Sequence, residues 1–389
     1  MQRFCVSFFN AFVTAALAAV LCALAFRLTN SRPAAFAAAL MYGLATFGLA
    51  HARTYFSEPL ATLCVFSALT LLYLGLRKGS MAQLIAGGAL AGFSVLVRVD
   101  SVITIPWLLL YLGWALWRPD SAERLTIRRR VILGVSFLIP MGICALILLS
   151  LNFYRYGSIF ETGYSDQTEG VKFGTPLLVG LQGLLFSVGR GLIYFSPPLI
   201  LCLWAFPSLW KIERRLTLTI ALLVSTVLCF HAKWINWSGA WCWGPRHIYL
   251  IHVFLALPIA AWLAEHAQSS ARRIAFYVLC IIGFAVQIYG CSQDFIDFYH
   301  TMFRTPGQPP SFYALYSDAE EPWHQPYYIV VQRHPDGATE PMSMRWLGAP
   351  VNDSLYIPQN SCWAGYALMW QAGHQDFFWL RYLRQLQTQ

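Results

Sequence analysis

Long apolar stretches recur along this chain, at 5–26, 34–50, 58–76, 81–97, 102–117, 131–151, 192–210, 216–232, 247–264 and 274–291. A helix needs about 20 apolar residues to cross the hydrocarbon core of a bilayer. Helices also satisfy their own backbone hydrogen bonds where water cannot. The runs therefore predict an all-α polytopic membrane bundle of ten spans. Composition agrees, because charged residues make up 12% of the 389 and hydrophobic ones 57%. A soluble domain carries about a quarter charged residues, so a water-soluble globule of this size is excluded. A shorter run, 175–188, reads as re-entrant or interfacial. Arg98-Val99-Asp100 divides the stretch 81–117 into two helices.

The positive charge is unevenly placed. One alternate set of loops (27–33, 77–80, 118–130, 211–215 and 265–273) holds 14 basic and 4 acidic residues. The rest of the chain holds 13 basic and 14 acidic residues, so this set carries the whole surplus behind the net charge of +9. Basic loops stay in the cytoplasm, which sets the orientation and removes the need for a nucleic-acid partner. Residues 1–292 read as the transmembrane domain and 293–389 as a small, mixed extracytoplasmic region. That tail, counted from 292, has 9 acids against 5 basic residues. It includes a Pro-rich stretch from Thr305 to Ser311, a strand-like run from Tyr327 to Val331 and a helical end from Asp376 to Leu386. Of the 10 cysteines, Cys22, Cys64, Cys144, Cys202, Cys229 and Cys280 lie in apolar runs and read as core thiols. Cys242 and Cys362 fall outside and are able to pair. No metal-type cysteine or histidine spacing occurs.

Four outward segments gather the chemistry. In His51-Ala52-Arg53-Thr54-Tyr55-Phe56-Ser57-Glu58-Pro59, Glu58 starts an inward helix, where the dipole favours a carboxylate. It is either a cap with Pro59 in the first turn or a carboxylate at a cavity mouth near Arg53. Arg98 and Asp100 sit inside an apolar stretch, where ionisable groups are costly; they pair with each other or bind an anionic group. The third segment carries Glu161, Asp166, Glu169 and Lys172, then Gly189-Arg190-Gly191. Glycines flanking an arginine let amides and a guanidinium converge on an anion, or form a plain interfacial turn. The fourth, Lys233 to His247, holds Trp234, Trp237, Trp241 and Trp243 and ends in Gly244-Pro245-Arg246. Tryptophans mark membrane interfaces, and indole faces also suit sugar rings or a prenyl chain. Arg246 at a helix start opposes the dipole, and a phosphate ligand would compensate. Arg53, Arg98, Arg190, Lys233 and Arg246 are then outward cations suited to an anionic lipid head group.

Three of these motifs carry a resemblance: Ala52 to Pro59, Gly183 to Ser187 through Tyr194-Phe195-Ser196-Pro197, and Trp241-Cys242-Trp243-Gly244-Pro245-Arg246. Over about residues 9–260 the chain resembles the bacterial lipid-carrier-dependent glycosyltransferases of GT-C architecture, the group of protein O-mannosyltransferases and aminoarabinose transferases. The resemblance implies a multi-pass protein of the bacterial inner membrane, active on the extracytoplasmic face. It implies transfer of a hexose or pentose from a polyprenyl-phosphate sugar, with inversion, to a lipid, glycan or protein acceptor. An acidic residue would take the acceptor proton and basic residues would hold the departing phosphate; a divalent metal is compatible with this chemistry. In this family the catalytic carboxylate lies in the first external loop, and the chain begins where that loop should end. The expectation is therefore a truncated start with the main acid upstream of Met1. Glu58 remains as the acidic candidate in a matching motif. Val188 stands where a proline is more usual. The resemblance puts Arg53, Arg98, Arg190, Lys233 and Arg246 near the donor phosphate. Tyr55, Asp100, Asp166, Glu169, Trp241, Trp243 and His247 fall to the sugar, prenyl chain or acceptor. The rival reading is a non-catalytic lipid-linked-sugar binder or transporter, or an inactive truncated relative. A transporter should show broken helices in related halves, whereas here the polar residues gather on one face.

Overall fold

The computed structural model describes residues 8–117, 126–163, 173–234, 237, 239, 242–293, 327–333, 339–346, 363, 366, 367 and 370. Among these, each of the ten apolar runs is helical, although 34–50 and 192–210 are broken into separate short helices. The α-helices, numbered in chain order, are α1 Phe9–Thr29, α2 Arg32–Ala45, α3 Gly48–Ala52, α4 Glu58–Lys78, α5 Met81–Val97, α6 Ile105–Trp117 and α7 Ile127–Tyr156. They continue with α8 Leu177–Phe186, α9 Leu192–Phe195, α10 Cys202–Ile212, α11 Arg214–Lys233, α12 Ile251–Glu265 and α13 Ser270–Cys291. Among the described residues, six segments are long and apolar enough to cross a membrane: α1, α4, Val99–Trp117, α7, α11 and α13. The remaining runs form shorter apolar helices.

The short ones have local causes. The run 34–50 breaks after Ala45, where Thr46 turns extended and its hydroxyl donates to the Tyr42 carbonyl at 2.6 Å. That 14-residue helix covers about 21 Å at 1.5 Å per residue, less than the roughly 30 Å hydrocarbon core. The stretch 81–117 divides where the sequence predicts: Arg98 is extended and a 3-10 turn, Val99–Thr104, leads into α6. The interfacial run 175–188 becomes the ten-residue α8.

Two compact units group 1–162, 196–228 and 248–285, and 163–195, 229–247 and 286–389. In the first, α12 is the core helix, with every residue from Ile251 to Trp262 buried. A helix apolar on all sides can only be stable enclosed by others; here α1, α2 and α10 pack around it. The longest helix, α7, buries only Leu133, Gly134, Phe137 and Asn152 and exposes Ile139, Ile143, Leu146 and Ile147. In the second unit the strand-like run is realised as β1 Tyr327–Arg333, paired antiparallel with β2 Thr339–Trp346. The expected helical end 376–386 lies outside the described residues.

The crossing of α5 on α7 depends on glycine. A Cβ on Gly88 would overlap the Phe137 carbonyl, whereas one on Gly142 of α7 would meet nothing within 4 Å. Gly88→Ala is expected to cost about 1–3 kcal/mol, the usual price of overpacking. Gly142→Ala should be neutral or gain up to about 1 kcal/mol. Thermal unfolding of the detergent-solubilised protein checks both; equal midpoints for the two variants would refute the close crossing.

Candidate functional site

In the first unit the segment 53–57 is tied down by a buried amide. Asn10 Nδ2 donates to the carbonyls of Thr54 at 2.6 Å and Phe56 at 2.8 Å. Just before it, His51 is buried, with its ring 4.0 Å from that of Phe47 and stacked 5.0 Å from that of Tyr249. Tyr249 and Tyr42 share a hydroxyl–hydroxyl bond of 3.0 Å. Arg53 and Tyr55, by contrast, are exposed.

Glu58 opens α4 with only 5% of its surface exposed. Its Oε1 lies 2.7 Å from the Arg98 guanidinium. The same guanidinium grips Asp100 with a two-pronged fork, Nε to Oδ1 at 3.0 Å and a terminal nitrogen to Oδ2 at 2.6 Å. Bidentate pairing of this kind is strong and directional. The mutual Arg98–Asp100 pair is therefore present, and Glu58 joins it. Arg98, expected among the phosphate cations, is engaged by these two carboxylates.

The second unit holds the glycine-flanked arginine and the tryptophan-rich loop. Arg190 is 2% exposed. Its guanidinium donates to the Cys242 carbonyl and, at 3.0 Å, to the Gly244 carbonyl, with Cys242 Sγ at 3.5 Å. Its own turn is built by Ser187, whose hydroxyl donates to the Gly183 carbonyl at 2.7 Å and accepts from the Arg190 amide at 3.2 Å. A Cβ on Gly191 would press on the Ser187 carbonyl at 2.5 Å, so this close approach needs glycine. Arg190 thus holds a loop instead of presenting itself to an outside anion. The sequence signals for both motifs describe a single structural element.

Trp243 is buried, stacked on Tyr366 at 4.9 Å and edge-on to Phe195 at 4.9 Å. A Cβ on Gly290 would overlap its indole. Trp243 is thus a packing residue with no open face for a sugar. Trp363, flanking it at 5.1 Å, donates its indole N–H to the Val188 carbonyl at 3.0 Å and accepts from the Tyr289 hydroxyl at 2.6 Å. Nothing in the sequence marked Trp363 or Tyr366. Gly244 follows with φ +73°, a left-handed turn. Arg246 and His247 then open a short 3-10 turn, Arg246–Ile248, and are half-buried. Because α12 begins only at Ile251, the dipole argument made for Arg246 does not apply. His247 stacks on the buried His231 with ring centres 5.2 Å apart. Lys233 is exposed at the end of α11. Asp166, Glu169, Trp241 and Cys362 lie outside the described residues. Among those residues no group of three or more histidine, cysteine or acidic side chains is arranged to hold a metal ion.

Fold and composition define a multi-span helical membrane protein. No protein-family model and no curated protein matches the chain. Among solved structures it is similar to that of ArnT from Cupriavidus metallidurans bound to undecaprenyl phosphate, with 17% identity and a TM-score of 0.44. The match covers 80% of this chain and 54% of that one, so the chain spans about half the length of ArnT.

Proposed function

We propose that this chain is a bacterial inner-membrane glycosyltransferase that moves a sugar from a polyprenyl-phosphate donor to an extracytoplasmic lipid, glycan or protein. The observation that carries this reading is the Arg190-braced loop. Buried carbonyl contacts fix the backbone of 242–244, and the next residues, Arg246 and His247, reach partial exposure. Preorganised cations of this sort stabilise charge that develops on a leaving phosphate. Arg246 and Lys233 are assigned to the donor phosphate, and Arg53 and Tyr55 to lipid or acceptor contacts. The acceptor hydroxyl attacks the anomeric carbon, the bond to the prenyl phosphate breaks, and a carboxylate takes the hydroxyl proton. Glu58 is the described carboxylate assigned to that step, with Asp100 beside the same guanidinium.

Arg246→Ala is expected to reduce transfer by at least about 100-fold, the usual scale for removing one charge-stabilising donor. Expression and thermal midpoint should hold. Incubation with a labelled prenyl-phosphate sugar reads the result: release of prenyl phosphate marks an enzyme, and donor bound but intact marks a carrier. Undiminished sugar incorporation by the variant would sink the assignment of Arg246.

A further inference from the structure

The first unit carries a groove of about 930 Å³ along α1 and α2. Its walls are Ala11, Ala15, Ala19 and Ala23 on one helix and Phe36, Leu40 and Leu44 on the other. From Ala11 to Phe26 it follows α1 for about 22 Å at 1.5 Å per residue. Thr14 and Cys22 add its few polar atoms, and the single charged residue lining it is Arg32, at one end.

That end has further features that select an anion. Arg32 is the first residue of the 14-residue α2, so a guanidinium sits at the positive pole of a helix, where a cation is disfavoured and an anion is held. It lies 5.9 Å above the Phe26 ring, itself part of the groove wall. Arg27 follows Phe26 in the last turn of α1. Among the described residues neither arginine makes an ion pair.

A long apolar channel with cations at one end complements an amphiphile with an anionic head. We infer that it is a binding site for an anionic glycerophospholipid, with an acyl chain along the alanine wall and the phosphate at Arg32 and Arg27. The far end of the groove is lined by Leu49 and Ala52, next to Arg53, so it is the basic end that stands apart from the residues assigned above to sugar transfer.

Native mass spectrometry of the full chain tests this, with phosphatidylglycerol and phosphatidylcholine of equal chain length added to the delipidated protein. Phosphatidylglycerol should bind about tenfold more tightly, from two basic residues near the head group. Arg27→Gln with Arg32→Gln should bring it to the phosphatidylcholine level, and the double lysine variant should keep the preference. Ala19→Phe, at an exposed position, should weaken both lipids by filling the groove. Equal binding of the two lipids by the unaltered chain would overturn the inference. So would an Ala19→Phe protein that keeps its lipid and instead changes oligomeric state, because the groove would then seat a transmembrane helix.

Discussion

Arg98→Ala is expected to destabilise the solubilised protein by about 2–4 kcal/mol, near the range for removing one partner of a largely buried ion pair. The loss comes from the charge left behind. Glu58 is almost fully enclosed, and Arg98 stands against it as an opposite charge at 2.7 Å. Asp100, a quarter exposed, has water as an alternative partner. Glu58→Gln alone should cost little, because it removes the buried charge and keeps an oxygen beside the guanidinium. The informative protein is the double variant Arg98→Ala with Glu58→Gln. Removing the stranded charge should recover more than half of the loss, a coupling of the size found for residues in direct contact. Thermal unfolding followed by tryptophan fluorescence measures all three. Equal instability of the single Arg98 variant and the double variant would show that Arg98 contributes packing, not neutralisation. The same set separates structure from chemistry. A stable Glu58→Gln protein without transfer activity supports Glu58 as the proton acceptor; full activity removes it from that role.

What the sequence could reveal follows from the range of each interaction. Apolar runs report burial one helix at a time, and all ten are helical. Their ends were less legible, because the turn to extended backbone at Thr46 that ends α2 falls inside an apolar run and leaves hydropathy unchanged. Arg98 and Asp100 stand two residues apart, so their pairing could be read as one of two alternatives. Glu58 is forty residues away, and only the packing of α4 against α5 brings it to the same guanidinium. Arg190 illustrates the opposite error. An arginine between glycines looks available to a ligand, yet its acceptors are backbone carbonyls about fifty residues on, and a carbonyl leaves no mark in sequence. The order of the motifs was visible; which cations are occupied was not. Three arginines that look equivalent in the sequence, Arg53, Arg98 and Arg190, turn out exposed, ion-paired and buried.

Removing the guanidinium of Arg190 should have the largest effect in the second unit. In Arg190→Leu the Cys242 carbonyl loses its donor inside the protein, where an unsatisfied acceptor costs about 1–3 kcal/mol, whereas the Gly244 carbonyl keeps the Arg246 amide at 3.1 Å. A loss of about 1–3 kcal/mol is expected, and the loop should loosen. Trp243 reports that loosening, since its indole is held between Tyr366, Phe195 and the gap left by Gly290. Its near-ultraviolet dichroism should weaken and its emission move to the red, with no donor present. Arg190→Lys discriminates between roles. A single guanidinium nitrogen, Nη1, meets both carbonyls, and a lysine ammonium also offers three donors, so a bracing arginine predicts that lysine recovers part of the stability and of the Trp243 signal that leucine loses. A phosphate ligand predicts that lysine preserves donor binding and that neither variant disturbs Trp243 in the absence of donor. If both variants fold with an unaltered tryptophan signal and lose only donor affinity, Arg190 must leave its carbonyl partners to meet the phosphate. The loop would then be held in place by its aromatic packing alone.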